Sequence, residues 1–379
     1  MSDQASLRHT PLHDLHVAWG GRLVDFAGWD LPVRYEPGPM AEHLQTRESA
    51  SLFDVSHMGI VELSGRPVEL LAEALEALVP ASVTGIADGR QRYTQLTTYT
   101  GGIVDDLMVA RVGPLLVLVV NAARRDVDLA HLRAGLPDEV ELTERTDLAL
   151  LAVQGPAAVS AVAALAGERA AVLDATVFMD VIEVELAGVS CRVSRSGYTG
   201  EDGVEIQVPA DAAVDLAQRL VGDSPDDGTV RPAGLAARDS LRLEAGMCLY
   251  GHDLDESTTP VEAGLVWSIQ KRRRESGGYP GAEAVRRQIA DGPGRVRVGL
   301  RPDGRQPVRD GSTLVDATGS EVGVVTSGGY GPSVGAPIAM GYVPPEASTP
   351  GTSLVAVVRG KELPVTVADL PFVAHRYRR

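Results

Sequence analysis

The chain has 379 residues, of which 44% are hydrophobic and 23% are charged, a composition typical of globular and not of disordered proteins. Its formal net charge is −16 and its only cysteines are Cys191 and Cys248, which argues against general nucleic-acid binding, a disulfide scaffold and a cysteine zinc site. The polar N-terminal stretch lacks a signal-peptide pattern, and the longest apolar run, residues 115–120, is too short to span a bilayer. We expect a cytoplasmic protein of two or three domains that binds neither nucleic acid nor membrane.

Over the first 290 residues, the apolar pattern indicates mixed α and β structure. Residues 59–65, GIVELSG, predict a strand. Helices are predicted over residues 66–79, 155–167 and 211–221. The first two of these contain a proline near the start, where a helix tolerates it, and the first shows apolar residues at helical spacing.

Residues 101–123, GGIVDDLMVARVGPLLVLVVNAA, place two adjacent acids inside an apolar run that predicts a strand. Because side chains alternate along a strand, Asp105 is expected on a face with Ile103, Leu107 and Val109. Asp106 is then expected on the other face, with Val104, Met108 and Ala110. Neither face is polar, so at least one carboxylate is expected against apolar neighbours, which costs free energy unless the charge is paired or used.

A short internal similarity links this stretch to residues 197–220. In both places, acids and a strand precede a helix that contains VDLA, at residues 127–130 and 214–217. The pattern indicates two similar α+β halves, although a chance match of four residues gives the same observation.

After about residue 290 the chain consists of short β-rich runs separated by Gly, Pro and Asp, which predicts a small β-barrel. A hairpin is expected to turn near Gly360 and Lys361. The glycine-rich stretch 327–335, SGGYGPSVG, opens no helix, so it predicts a tight turn and not a dinucleotide site. The linker to this region is expected at residues 272–281 and in the helix that follows.

Four further features allow both a structural and a functional interpretation. His13, His16 and His57 lack metal-site spacing and favour structural or hydrogen-bonding roles. Glu205 lies on the strand face opposite Val204, Ile206 and Val208, which is either a solvated face or a site. Arg238 lies on an apolar helix side, which indicates an ion pair or a ligand. The run Lys271, Arg272, Arg273 and Arg274 is either a solvated cluster or a landing place for an anionic partner.

The ordered set of longer motifs resembles the aminomethyltransferases of the glycine cleavage system, the T-protein family. The resemblance covers nearly the whole chain. It is carried by TPLHDLHVAWGGRLVDFAGWDLPVRY, SLFDVSHMG, GGIVDDL, VVNAA, LLAVQGP, SGYTGEDGVEI, GLAARDSLRLEAGMCLYGHDLDESTTPVEAGLVW, TSGGYGPSVGAPIAMGYV and LPFV.

The resemblance implies an α+β fold, a three-domain cloverleaf around a central folate site with two related α+β domains and a C-terminal β-barrel. Residues 1–290 would form the folate-binding region of two interleaved α+β domains, and residues 291–379 the barrel. It implies transfer of a one-carbon unit from an aminomethyl group on a lipoylated carrier, the H-protein, to tetrahydrofolate. Tetrahydrofolate would be a co-substrate, no metal would be needed, and the P- and L-proteins of the system would be indirect partners.

The same resemblance assigns site residues. Asp106 matches the essential aspartate near the reacting folate nitrogens N5 and N10. Glu205 matches the acid that holds the amino-pyrimidine edge of the pterin, and Arg238 matches a folate-site arginine. The remaining pocket positions are Met58, Tyr93, Asn121, Tyr198, Tyr250 and Tyr377.

Three roles are expected. Asp106 would stabilise a cationic iminium and accept a proton from folate, while Asp105 would hold the Gly101–Gly102 turn or a neighbouring backbone amide. The cluster Lys271–Arg274, with Arg376, would contact an acidic face of the carrier or a folate polyglutamate tail. The alternative is a non-enzymatic folate-binding protein of the same fold, of the kind that serves iron–sulfur maintenance; flavin-linked relatives would need a dinucleotide motif that this sequence does not show.

Overall fold

The computed structural model describes residues 6–222 and 225–379. Its N-terminal part contains a two-stranded sheet flanked by helices, and then a strand that joins a larger sheet. These elements are α1 (His13–Ala18), β1 (Arg22–Phe26), β2 (Trp29–Arg34), α2 (Pro39–Glu48) and β3 (Ala50–Asp54).

The first α+β unit is a five-stranded sheet in the order β5-β6-β7-β4-β8. Its elements are β4 (Gly59–Ser64), α3 (Val68–Glu76), β5 (Arg90–Thr97), β6 (Ile103–Val112), β7 (Leu115–Val120), α4 (Arg125–Gly135) and β8 (Glu141–Glu144). The predicted strand and first helix are both confirmed. Pro67 directly precedes α3, and its apolar stripe of Val68, Leu71 and Leu75 is buried against the sheet.

The second unit is a six-stranded sheet in the order β10-β11-β12-β9-β3-β13. Its elements are β9 (Leu148–Gln154), α5 (Ala158–Ala163), α6 (Ala170–Ala175), β10 (Val181–Leu186), β11 (Val189–Ser194), β12 (Gly203–Pro209), α7 (Ala213–Val221), β13 (Val230–Pro232) and α8 (Leu235–Glu244). The two helices predicted here form as α5 and α7, with α5 shorter than expected.

The two units share a topology, which supports the duplication that the sequence left open. Each runs strand, helix, three-stranded meander and helix, and the last meander strand pairs with the first strand. These pairs are β7 with β4 in one unit and β12 with β9 in the other. The helices that contain VDLA, α4 and α7, follow those equivalent meander strands.

The C-terminal region is a closed six-stranded barrel, as predicted. The predicted linker contains α9 (Lys271–Ser276) and α10 (Ala282–Asp291). The barrel strands are β14 (Val296–Pro302), β15 (Thr313–Val315), β16 (Glu321–Gly331), β17 (Ala336–Val343), β18 (Ser353–Val358) and β19 (Lys361–Ala368). The β18–β19 hairpin pairs Val358 with Lys361, so its turn lies at Arg359 and Gly360. The domain division at residue 290 stays a prediction.

Hydrogen bonds, one of them to a buried ion pair, attach the barrel and the tail to the rest. Arg242 on α8 lies 2.8 Å from Asp253, which also accepts a hydrogen bond from Ser327 of β16. The glycine-rich stretch forms the β16–β17 turn, where the amide of Ser333 donates to Glu244 at 2.7 Å. The tail returns to the second unit, since the amide of Arg376 donates to the carbonyl of Gly200 at 2.8 Å. Within the described residues, no helix has the length and apolar character needed to cross a membrane.

Candidate active site

The acid doublet lies on β6, an interior strand of the first sheet next to the edge strand β5, and its two side chains separate as predicted. Asp105 has no exposed surface, whereas Asp106 is half-buried and faces Tyr93. The expected face partners are wrong at the start of the strand, because β5 and β6 change register between Leu96 and Thr97. This bulge places Val104 in the helix-side core with Leu107, and Ile103 on the other side with Tyr93.

Both oxygens of Asp106 accept hydrogen bonds from the protein. The hydroxyl of Tyr93 donates to Oδ2 at 3.0 Å, and Nδ2 of Asn121 donates to Oδ1 at 2.9 Å. Burial, followed by the negative charge of Asp105, raises the pKa of the Asp106 carboxyl to about 7. The group therefore changes protonation state near neutral pH, which suits a proton acceptor.

Asp105 holds a backbone amide, one of the two roles expected for it. It accepts from the backbone amide of Asn121 at 3.3 Å and from Nδ2 of the same residue at 2.9 Å. The turn at Gly101–Gly102 is held instead by Thr98, whose hydroxyl accepts from the amide of Gly102 at 3.0 Å. A Cβ at Gly102 would lie 1.8 Å from the carbonyl oxygen of Glu256, so this turn requires glycine.

The second unit contributes an arginine, a tyrosine and an acid to the same region. The Arg238 guanidinium lies 4.9 Å from the ring centroid of Tyr198, and Tyr198 donates to the carbonyl of Cys248. Glu205 is half-buried and accepts from Ser196 at 2.6 Å, while Val204, Ile206 and Val208 pack into the core as predicted.

Arg238 has an unused donor. Its Nη1 is buried and finds no hydrogen-bond acceptor among the residues that the structure describes. Burial lowers the pKa of this guanidinium and the nearby Glu205 raises it. Electrostatic interaction also links Asp106 to Tyr198, so the groups of the two units face a common region. A polar, planar ligand with acceptors would satisfy Arg238, because a buried donor left unpaired costs free energy.

The other residues predicted to line the pocket lie at the edges of the region shared by Asp106 and Arg238. Tyr250 donates to the carbonyl of Ile103 at 3.3 Å and, like Tyr93, packs against the small core cluster that contains Ile103. The half-buried Met58 packs against the core between the sheets. Tyr377 stacks on Phe178 at 4.0 Å, and its buried hydroxyl has no partner among the described residues. No hydrogen bond or ring contact within the described ranges joins Tyr377 to Asp106, Arg238 or Glu205.

The basic cluster Lys271–Arg274 divides in the structure. Arg273 is buried and donates to the carbonyls of Gly277 and Val79, so the prediction of a surface contact is wrong for this residue. Arg272 is bonded to Glu76, Ser82 and Thr84. Lys271 and Arg274 line a groove of about 460 Å³ together with Glu275, Arg286, Ile289 and Ala290.

The histidines engage mainly in hydrogen bonds. His16 bonds Asp54 at 2.9 Å. His57 differs, because its Nδ1 is buried without a hydrogen-bond partner among the described residues, its ring contacts Phe26, and burial lowers its pKa to about 4. The side-chain ligand atoms of His9, His13 and Asp30 lie within 4.8 Å of one another. His13 already bonds Asp30 at 3.0 Å and Asp14 at 3.2 Å, and the Asp30 bond raises its pKa, so a proton competes with any metal there.

Trp267 was not predicted as a site residue. Its ring stacks on Tyr93 with centroids 5.5 Å apart, and 65% of its surface is exposed. A large exposed aromatic residue is typical of a contact surface. Only the tertiary structure brings residues 93 and 267 together, so the sequence pattern held no signal for the pair.

Comparisons with known proteins agree with this architecture. Residues 12–273 match the family model described as the GCVT N-terminal domain, and residues 295–374 match the glycine cleavage T-protein C-terminal barrel domain. The mitochondrial aminomethyltransferase of Flaveria trinervia is 44% identical over 99% of this chain and 92% of its own length. The mitochondrial aminomethyltransferase of Gallus gallus is 47% identical over 98% of this chain and 94% of its own length.

A solved structure extends the similarity to three dimensions. The glycine cleavage system aminomethyltransferase T from Bartonella henselae superposes with a TM-score of 0.91 at 41% identity, covering 99% of this chain and all of that one. The chain belongs to the glycine cleavage T-protein family of aminomethyltransferases.

Proposed function

We propose that this protein is the aminomethyltransferase of a glycine cleavage system and that Asp106 is its key carboxylate. The observation that carries the proposal is a carboxyl group oriented by two protein donors, with a pKa raised to about 7, in electrostatic reach of Tyr198. Beside Tyr198 lies Arg238, whose buried Nη1 finds no acceptor among the described residues. Full-length similarity to aminomethyltransferases supports this reading over a non-enzymatic folate-binding role.

The reaction transfers one carbon from sulfur to two nitrogens. The aminomethyl group on one lipoyl sulfur of the H-protein loses its amine as ammonia, and its carbon bonds to N5 and N10 of tetrahydrofolate. The carbon–sulfur bond breaks, and the sulfur leaves as the thiol of the dihydrolipoyl carrier. The two folate nitrogens each lose one proton, and these protons balance those gained by the thiol and by ammonia.

Asp106 contributes charge and proton transfer to these steps. As a carboxylate it stabilises the cationic iminium through which the carbon passes, and it does so more strongly away from bulk water. Its raised pKa allows it to accept a proton that a folate nitrogen loses on bond formation. Because Tyr93 and Asn121 fix both oxygens, the carboxylate needs no reorientation when charge develops.

Glu205 and Arg238 are proposed to bind the pterin. A carboxylate can accept two parallel N–H bonds from an amino-pyrimidine edge, and an arginine can donate to ring acceptors. The unpartnered Nη1 of Arg238 supports a ligand at this position. Met58, Asn121, Tyr198 and Tyr250 complete the proposed folate pocket, with Tyr93 shared between the folate and Asp106.

The lipoylated H-protein is the proposed direct partner, and the P- and L-proteins act through it. Within the basic cluster, the groove residues Lys271 and Arg274 are the proposed contacts for the carrier or for a folate polyglutamate tail, with Arg286 beside them. Arg272 keeps a half-exposed side chain but is already paired with Glu76. A cytoplasmic location stays a prediction.

One assay tests the function directly. Purified protein, tetrahydrofolate and aminomethylated carrier should yield ammonia and 5,10-methylenetetrahydrofolate in equal amounts. Carrier without the aminomethyl group is the control and should give neither product. Tight folate binding without product formation would favour the alternative, a folate-binding protein without this activity.

A further inference from the structure

Behind Asp106, on the helix side of the first sheet, two more carboxyl groups meet away from solvent. Asp105 on β6 and Asp128 in the first turn of α4 have no exposed surface, and their carboxyl groups lie close enough to hydrogen-bond once one of them carries a proton. No donor from any other described residue reaches either oxygen of Asp128. An ionised carboxylate only accepts hydrogen bonds, so one of the two acids must keep a proton and donate it.

The surroundings place that proton on Asp128. Asp105 accepts from the backbone amide and the side chain of Asn121 at 3.3 and 2.9 Å, and both bonds favour its charged form. Asp128 receives no such bond from a neutral donor among the described residues. Burial, followed by the hydrogen bond to Asp105, raises the pKa of Asp128 to about 10.

The charges around the pair do not reverse this assignment. Arg124, one turn before Asp128, lowers the pKa of Asp128, but its Nη2 is bonded to Glu256 at 2.7 Å. Asp106 on the same strand raises it further. The ring of Tyr250 lies 5.1 Å from the Arg124 guanidinium and is neutral, because burial raises its pKa to about 12.

The pair is connected to Asp106 by one side chain. Nδ2 of Asn121 lies 2.9 Å from Oδ1 of Asp105 and 2.9 Å from Oδ1 of Asp106. The negative charge of Asp105 is also the second cause, after burial, of the raised pKa of Asp106. The charge and position of Asp105 therefore act on both the orientation and the basicity of Asp106.

We propose that Asp128 is a positioning residue that stays neutral and donates its proton as a hydrogen bond to Asp105. In this role it keeps Asp105 charged and in place, and through Asp105 and Asn121 it sets how Asp106 points and how strongly it binds a proton. The kinetic consequences rest on the proposed function, whereas the protonation state of Asp128 is a property of the protein alone.

Two substitutions of similar size separate this role from simple packing. Asp128→Asn keeps a donor toward Asp105 and should leave kcat within about threefold of the wild-type value. The acid limb of the pH profile, which is the fall in kcat at low pH as Asp106 takes up a proton, should not move. Asp128→Leu removes the donor, so Asp105 takes up a proton and no longer raises the pKa of Asp106. The acid limb should then shift down by about one pH unit and kcat should fall about tenfold.

The same two variants can overturn the proposal. If Asp128→Leu lowers only the melting temperature and leaves kcat and the pH profile unchanged, Asp128 is merely a packing residue. If Asp128→Asn loses as much activity as Asp128→Leu and shows the same shift, hydrogen-bond donation is not its role.

A spectroscopic measurement needs neither carrier nor folate, and so it stands even if the proposed function fails or the leucine variant does not fold. Protein labelled with ¹³C at aspartate carboxyl groups is compared with its Asp128→Asn variant at about pH 8.5, where ordinary aspartates are ionised. The wild type should show one protonated-carboxyl signal that the variant lacks. Identical protonated-carboxyl signals in the two proteins would overturn the assignment.

Discussion

The hydroxyl of Tyr93 donates a 3.0 Å hydrogen bond to Asp106, while the same ring stacks on the exposed Trp267 at 5.5 Å. One tyrosine therefore joins the working carboxylate to the solvent-facing edge of the site. Because the hydrogen bond favours the charged form of Asp106, it opposes the burial and the Asp105 charge that raise the pKa of this group.

Asp106→Asn should lower kcat by at least about a hundredfold, because the amide can neither accept the proton nor stabilise the cation. Tetrahydrofolate should still bind within about threefold of the wild-type Kd. Single-turnover product formation and calorimetric titration measure the two effects. A variant with near-normal kcat would remove Asp106 from the mechanism.

The same variant should also be more stable at neutral and alkaline pH. The pKa of Asp106 rises from 3.8 to about 7 on folding, so the folded state binds the proton more tightly than the unfolded state does. The tighter binding of this proton therefore stabilises the folded state fully below about pH 4, and the stabilisation is lost as the pH rises to about 7. The Tm of Asp106→Asn relative to wild type should therefore climb over this range, by roughly 5 °C in total, and stay flat above it.

Tyr93→Phe tests the hydrogen bond in isolation. Wild-type kcat should fall as the pH drops through about 7, because Asp106 becomes protonated. Loss of the hydroxyl removes a bond that lowers the pKa of Asp106, so this acid limb should move to higher pH by roughly half to one unit. Tyr99→Phe, on a 90% exposed tyrosine, is the control and should leave the limb in place.

Arg238→Met and Glu205→Gln should weaken tetrahydrofolate binding by roughly ten- to a hundredfold, the usual effect of losing a hydrogen bond to a charged group. At saturating folate, kcat should change by less than about threefold, since neither residue touches the transferred carbon in the proposed arrangement. Glu185→Gln, an exposed acid on β10, is the matched control. Unchanged folate affinity in both site variants would contradict the proposed pterin position.

The groove on α9 and α10 is tested by charge reversal. Lys271→Glu with Arg274→Glu should raise KM for the carrier or for polyglutamylated folate several-fold, and the effect should shrink at high salt. Arg287→Glu, exposed on α10 and outside the groove, is the control. If neither KM moves, the groove is an ordinary solvated surface.

Arg273→Met should behave differently, because Arg273 is a buried donor to backbone carbonyls. Its loss leaves those carbonyls unpaired, so the free energy of unfolding should fall by about 1–3 kcal/mol. The KM values for carrier and folate should stay the same in the protein that remains folded. Chemical denaturation beside steady-state kinetics separates the two effects.

The local pattern of apolar residues was enough to predict much of this fold. Helical spacing around Leu71 and Leu75 predicted α3, and short β runs after residue 290 predicted the barrel, because burial of one apolar face is a local property of the sequence. Strand alternation alone also predicted that the carboxylates of Asp105 and Asp106 point to opposite sides.

Other features depended on contacts between distant residues. The bulge opposite Thr97, which moves Val104 to the helix side, comes from the pairing of β5 with β6. Arg272 and Arg273 look alike in the sequence, but only their packing against Glu76 and Val79 makes one half-exposed and the other buried. Likewise, the proton shared by Asp105 and Asp128 exists only because β6 and α4 pack together.

The sequence by itself determined the family, the barrel and the position of the acid doublet, since these follow from local periodicity and ordered motifs. The tertiary structure decided which groups surround each acid, and hence its pKa. Electrostatic interactions and desolvation depend on distance in space and on burial, and neither can be read from spacing along the chain.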